Sequence, residues 1–205
     1  MTTISAIKIS KRYGYHWIVK DFNHAFNNGI MYGIAGNNGS GKSTLIKILS
    51  GYLTPSAGTL SYQIGNKIVK SEDIFKFIAL AAPYTDLINE YTLEEMFEFH
   101  QKFKPFSHKI SFAQYEEIIN LKGQGEKLLY HFSSGMKQKI QLSLALMSEA
   151  PVLLLDEPTS FLDKNAKVWF ENLLNMYKFD KTIIIASNDP YDLNICDQII
   201  NLSQK

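Results

Sequence analysis

The sequence predicts an α/β fold with a parallel sheet covered on both faces, and three observations predict it. Two aliphatic runs of strand length, 152–155 and 183–186, alternate with helical stretches, and strands that are apolar along their whole length belong to sheets buried on both sides. A glycine-rich segment over 36–43 joins a short apolar strand to a helix. An aromatic, helix-rich stretch in the middle of the chain sits inside a strand-rich frame. The 205 residues suit a single domain, and a chain of that length buries a core without disulfides or metal. No internal repeat, low-complexity tract or linker divides it.

Each element has its own signal. Ile4, Ala6, Ile7 and Ile9 alternate loosely with polar residues and predict a first strand, and 19–26 predicts a second on the same pattern. Asn28-Gly29 is a strong hairpin-turn signal leading into a third short strand over 30–35. Leu45, Ile46, Ile48 and Leu49 predict a helix over 42–50 with Gly51 as its C-cap. A turn over 55–58 precedes a strand over 59–64. Thr92 and Glu95 form a capping-box pattern that starts a helix with Leu93, Met96, Phe97 and His100 on one face, ended by Pro105. A second helical stretch spans 107–121 and is broken by Gly123-Gln124-Gly125. Then come a helix over 134–148, a buried strand over 152–155, a helix over 163–177, a buried strand over 182–186 and a last short strand over 198–202.

Composition excludes several classes. At 45% hydrophobic and 20% charged the chain is neither disordered nor collagen-like. Twenty-one basic residues against twenty acidic ones leave a net charge of +1, with no global basic field for nucleic acid or an anionic membrane. Cys196 is the single cysteine, so no internal disulfide forms, which fits a reducing compartment. No apolar run approaches the ~18 residues that span a bilayer, and the first seventeen residues lack a signal core. The expected location is therefore cytoplasmic, with any membrane attachment supplied by another chain. His24, His100, His108 and His131 show no metal spacing. Cys196 reads as a small buried residue.

The chemistry concentrates at two places. Gly36-Asn37-Asn38-Gly39-Ser40-Gly41-Lys42-Ser43, followed by Thr44, fits G-x-x-x-x-G-K-[ST] between a predicted strand and a predicted helix. Glycines let consecutive backbone N–H groups turn toward one anion, and the helix N-terminus adds attraction. Lys42 would reach the β- and γ-phosphates and the Ser43 hydroxyl would hold Mg²⁺. The competing role, a glycine-rich turn before an ordinary helix, does not account for the full pattern. Downstream, the 152–155 strand ends in Asp156, Glu157 and Pro158. A buried strand delivers its last residues to the sheet edge that also carries the phosphate loop. There Asp156 can hold Mg²⁺ through a water, and Glu157 can orient or deprotonate the attacking water.

With these pieces in order, the chain resembles ABC-type ATPases. Phe132-Ser133-Ser134-Gly135-Met136-Lys137-Gln138 is similar to their signature motif, and Thr159-Ser160-Phe161-Leu162-Asp163 to their D-loop. Tyr13, after Lys11-Arg12, resembles the aromatic that stacks on adenine, with Tyr15, His16 and Trp17 as alternatives. The resemblance runs from Ile4 to Leu202. It implies a P-loop NTPase core with a mixed sheet, an N-terminal antiparallel β subdomain and an inserted α-helical subdomain. The 1–205 chain would form one ATP-binding domain, with 1–85 and 131–205 as nucleotide-binding core and 86–130 as the insertion. It implies ATP and Mg²⁺ as ligands, and ATP sandwiched between the phosphate loop of one subunit and Ser133, Ser134 and Gly135 of a second, identical or different. Alone, 133–135 reads as a helix N-cap. The resemblance also implies a transmembrane permease partner at the inner face of the membrane. Ser-Ser-Gly-Met at 133–136 and the lack of a further C-terminal domain resemble export-type members.

Two positions depart from the family pattern. Asn188 stands where the switch histidine is expected, and it donates a hydrogen bond but carries neither proton nor charge. Ala82-Pro83-Tyr84 occupies the Q-loop position, with no side-chain amide. Both leave nucleotide binding intact and predict slow hydrolysis by Glu157 with Asn188. The alternative is a nucleotide-gated binding module with little or no hydrolysis. Soluble relatives acting in DNA repair or on ribosomes carry coiled-coil insertions or tandem cassettes, which this chain lacks. Phe97, Phe99, Phe103, Phe106 and Phe112 enrich the helical segment, where most fill its core and at least one is expected to meet a partner helix.

Overall fold

The computed structural model of the protein describes residues 1–202; residues 203–205, assigned above to the nucleotide-binding core, lie outside the described residues. Strands β1 (Thr2–Tyr13) and β2 (His16–Asn27) pair antiparallel through a tight turn at Gly14, whose φ of 58° suits glycine. With β4 (Ala57–Ile64) and β5 (Lys67–Val69) they form an antiparallel sheet of order β2-β1-β4-β5. The second sheet is parallel, of order β6-β7-β8-β3-β9. It contains β3 (Met31–Ala35), β6 (Ile78–Ala81), β7 (Val152–Asp156), β8 (Thr182–Ser187) and β9 (Gln198–Asn201).

Successive side chains of a strand point to opposite faces, and here both faces are covered. Val152, Leu154 and Ile184 pack with α1 (Lys42–Leu49) and with Ile4, Ile9 and Phe26 of the antiparallel sheet. Leu153, Leu155, Ile183 and Ile185 face the other way, onto Leu142 and Leu146 of α4 (Ser134–Met147) and Phe170 and Leu174 of α5 (Lys164–Tyr177). A third cluster joins α2 (Leu93–Phe103), α3 (Phe112–Ile118) and the outer face of α4 through Leu93, Phe97, Phe106, Tyr115, Phe132 and Ile140. The capping box at α2 forms: the Thr92 N–H donates to Glu95 Oε2 (2.8 Å) and the Glu95 N–H to Thr92 Oγ1 (3.2 Å).

Some local expectations are corrected. Asn28-Gly29 closes no hairpin, because β2 and β3 lie in different sheets. The turn carries the chain from one sheet to the other, with Gly29 (φ 75°) donating to Lys181 O at 3.1 Å. Turn chemistry says that the chain reverses, not which strands then pair. The second helical stretch is shorter than 107–121. Ser111 caps α3 with its own capping box to Gln114, and Asn120, at φ 55°, ends it. Residues before the cap are not helical: the chain bends at 107–108, with the Ser107 N–H on Met147 O. Strands β5 and β6 and the short α6 (Pro190–Asn194) carried too little periodicity to be predicted.

Candidate active site

Three neighbouring strands of the parallel sheet, β7, β8 and β3, end at one edge. The carboxylate pair, Asn188 and the phosphate loop each follow one of these ends. The loop is shaped by close approach. A Cβ on Gly36 would lie 2.5 Å from Ser40 Oγ and 2.8 Å from Leu202 O, and one on Gly41 (φ 98°) 2.8 Å from Ile18 O of β2. Asn37, Asn38 and Gly39 form the exposed crest, while Ser40 is buried with its hydroxyl unpartnered. The Lys42 side chain curls back under the loop, and Nζ donates to Gly36 O (2.7 Å) and Asn37 O (3.2 Å). Ser43 is exposed and Thr44 half-buried in the first turn of α1.

Asp156 ends β7 at 1% exposure, and neither carboxylate oxygen has a protein hydrogen-bond partner. Burial pushes its pKa up; the adjacent Ser43 side chain lowers it, Glu157 raises it, and the Lys42 and Lys47 charges lower it. A buried carboxylate with both oxygens free beside a hydroxyl is a costly arrangement unless a cation completes it, and oxygen donors of this kind suit a divalent ion such as Mg²⁺. Among the described residues no group of three or more His, Cys, Asp or Glu could hold a metal ion.

Glu157 has a positive φ of 49°, a conformation that non-glycine residues adopt under constraint and often at functional sites. Its N–H donates to Ala186 O (2.8 Å), and its carbonyl accepts from the Ser160 N–H (3.2 Å) and hydroxyl (3.0 Å). The side chain stands 3.5 Å from Lys42 Nζ and accepts from Ser187 Oγ at 3.0 Å and the Asn188 N–H at 3.4 Å. Asn188 Nδ2 donates to Asn38 Oδ1 of the phosphate loop at 2.8 Å. The Tyr84 ring lies under the Lys47 ammonium, 4.0 Å from its centroid. Its buried hydroxyl has no partner, and burial together with the Asp156 charge pushes the phenol pKa up. Gln141 holds this turn by donating to Thr85 O.

The remaining residues lie on other elements. Ser133 caps α4 by accepting from the Met136 N–H at 3.3 Å, and Ser133 and Ser134 are exposed. A Cβ on Gly135 would meet Phe161 O at 3.1 Å, and Gln138 donates to Pro158 O at 2.8 Å, so this helix start packs on the loop after the carboxylate pair. Tyr13 is half exposed at the β1–β2 tip, with Lys11 Nζ 5.5 Å from its ring; it pairs across from His16, and Trp17 is exposed beside Arg12. None of these aromatics is core, and the contact of Ile18 with Gly41 ties the same strand to the phosphate loop. Lys47, Ser187 and Asp192 belong to the site's surroundings without any motif announcing them; a serine beside the predicted switch position was the only hint.

Residues 19–160 match the protein-family model described as ABC transporter. The chain belongs to the ABC transporter family. It is 26% identical over 202 residues to an uncharacterised ABC transporter ATP-binding protein, YybJ of Bacillus subtilis, covering 98% of this chain and 92% of that one. It is 32% identical over 200 residues to an uncharacterised ABC transporter ATP-binding protein of Methanocaldococcus jannaschii, covering 87% of this chain and 64% of the relative. It spans only 22% of ABC transporter A family member 1 of Dictyostelium discoideum. A bacterial ABC transporter cassette solved as a dimer superposes with a TM-score of 0.81 at 22% identity over 97% of this chain and 93% of that one. A dimeric cassette in a post-hydrolysis state with ADP and Pi does so at 0.81 and 22%, over 98% and 94%. The ABC cassette fold, a P-loop NTPase core of mixed α/β architecture, is thus shared. No helix among the described residues is long and apolar enough to cross a membrane.

Proposed function

We propose that the protein is the ATP-binding and ATP-hydrolysing subunit of an ABC transporter, driving a separate membrane-spanning chain by ATP-dependent pairing of two cassettes. The observation that carries this reading is the unpartnered, buried Asp156 carboxylate beside Ser43 and the Lys42 loop. Lys42 exchanges its two loop carbonyls for phosphate oxygens, and the backbone N–H groups of 37–44 turn toward the same anion. Ser43 and Asp156 would hold Mg²⁺, which would supply positive charge beside the phosphates. Glu157, anchored by its backbone and by Ser187, orients the attacking water and accepts its proton. Asn188 donates to the γ-phosphate in place of its bond to Asn38. Tyr13, at the hairpin tip, stacks on adenine. Ser133 and Ser134, exposed at the start of α4, and the half-buried Gly135 complete the site of a second copy or a related subunit.

The helical insertion over 86–130 receives the permease. Phe97 and Phe106 are buried in its core and Phe112 is partly covered, whereas Phe99 and Phe103 line an apolar groove of about 660 Å³ with Phe75, Leu87 and Tyr52. The subunit would then lie at the cytoplasmic face, held by that partner. Export is the direction favoured by the 133–136 sequence; a relative 28% identical over 196 residues is a Nod factor export ATP-binding protein of Burkholderia orbicola.

Calorimetry with MgATP tests the reading. Measurable binding by the wild type that is lost in Lys42→Ala supports it; no binding by well-folded protein overturns it. A second reading, a module that clamps on ATP and barely hydrolyses, is favoured by the Asn188–Asn38 bond and by Tyr84 at the Q-loop position. Single-turnover assays with protein in excess separate the two, since an enzyme converts its bound ATP within minutes.

A further inference from the structure

One hydroxyl behind Glu157 lies against two acids. Ser187 Oγ is 3.0 Å from Glu157 Oε2 and 2.7 Å from Asp192 Oδ2, and it accepts the Asp189 N–H at 3.0 Å. A serine hydroxyl has one hydrogen, so it cannot serve two ionised carboxylates at once. All three contacts are satisfied together only if one acid carries a proton. Asp192 is the one wholly removed from water, at 0% exposure, while Glu157 faces Lys42. With the proton on Asp192, its O–H donates to Ser187 Oγ, and the Ser187 O–H donates to Glu157 Oε2. The serine's two lone pairs then accept Asp192 and the Asp189 N–H.

We propose that Asp192 and Ser187 are positioning residues: the buried Asp192 carboxyl orients the Ser187 hydroxyl, which fixes the Glu157 carboxylate against the attacking water. The direction of the Asp192 shift agrees. Burial pushes its pKa up, the Ser187 and Thr159 side chains pull it down, Asp189 raises it, and Lys167 lowers it. Asp192 Oδ1 and Thr159 Oγ1 are both buried without a hydrogen bond of ordinary geometry, and burial penalises the charged form of the acid. A hydrogen-bonded chain of this kind aims a carboxylate that a switch residue without charge, Asn188, cannot hold electrostatically.

The inference rests on Glu157 acting on the attacking water, and one set of variants separates the two claims. MgATP affinity is measured by calorimetry, and the rate and half-saturation by single-turnover hydrolysis with protein in excess. Ser187→Ala and Asp192→Ala are expected to lower the rate about ten- to a hundredfold, the scale of a misplaced catalytic group, with MgATP affinity unchanged. Ser187→Thr keeps the hydroxyl and Asp192→Asn keeps an N–H donor to Ser187 Oγ, so each should restore most of the lost rate. Wild-type rates in both alanine variants overturn the inference, and so do losses that the conservative variants fail to restore. If Asp192→Ala lowers the melting temperature too far to assay, Ser187→Ala with Ser187→Thr decides alone. Failure of the wild type to bind MgATP, or full turnover by Glu157→Gln, sinks the underlying reading instead, whatever the variants at 187 and 192 do.

Discussion

Lys42 is the residue whose environment most constrains the chemistry. It is a cation at 5% exposure, bonded to two carbonyls of its own loop and 3.5 Å from Glu157. Hydrogen bonds to a charged group are worth about 1.5–3 kcal/mol each. If phosphate oxygens replace those carbonyls, as proposed, the contacts become stronger, and Lys42→Ala is expected to weaken MgATP binding by about a hundredfold or more by calorimetry. Asn188, at the proposed switch position, is the opposite case: an amide supplies a neutral donor only. Its amide donates to Asn38 and cannot be protonated. Asn188→His is therefore expected to raise the single-turnover rate severalfold; an unchanged rate contradicts this account of the switch position. That Lys42, Ser43, Asp156 and Glu157 come together at one sheet edge was readable from motif spacing alone. Lys47, Ser187 and Asp192 were not, because what qualifies them is proximity between side chains far apart in sequence.

Helix α4 shows how much of an element's stability comes from residues outside it. Lys181, before β8, is buried at 7% exposure and donates to Leu146 O (2.8 Å) and Ser148 O (2.8 Å), closing the carbonyls at the helix end. Burial lowers its pKa to about 8. Lys181→Met fills the space but leaves two carbonyls unpaired, and is expected to cost about 2–3 kcal/mol in denaturant unfolding. From α2, His100 Nε2 lies 2.8 Å from Ser148 Oγ. Because that hydroxyl already donates to Leu144 O at 2.6 Å, the imidazole Nε2–H is the donor. Its pKa falls to about 4, through burial first and Lys104 second, against the Leu144 carbonyl. The unfolded chain, near the ordinary 6.5, then binds more protons than the native one between about pH 6.5 and 4. Stability is full above that window and falls as pH drops through it, by about 2 kcal/mol from pH 7 to 5. Melting temperature against pH should show this slope, and His100→Gln should flatten it. The capping box at Thr92 was legible because it is local. The length of α3 was not, because Asn120 ends it in a conformation that no periodicity encodes.

For the molecule as a whole, the sheet edge where β7, β8 and β3 end is complete in one respect and open in another. It gathers loop, acids and Asn188, while the exposed Ser133 and Ser134 start another helix and meet the 158–161 loop through Gly135 and Gln138. If a second cassette supplies that end to the nucleotide, blocking hydrolysis should trap the pair. Glu157→Gln with MgATP is expected to run as a dimer by light scattering and to return to monomer when the nucleotide is removed; a monomer at saturating MgATP contradicts the sandwich. The sequence by itself determined the α/β class and where the glycine-rich loop and the acid pair sit, since each is a contiguous run whose place follows from backbone direction and local spacing. Only the tertiary structure decided that β2 and β3 part into different sheets, that Phe99 and Phe103 line a groove while Phe97 is core, and that Ser187 stands between Glu157 and Asp192. The reason is physical. Which strands pair, which face a ring takes and which acids share a hydrogen are settled by burial among segments distant along the chain, where local preference carries no information.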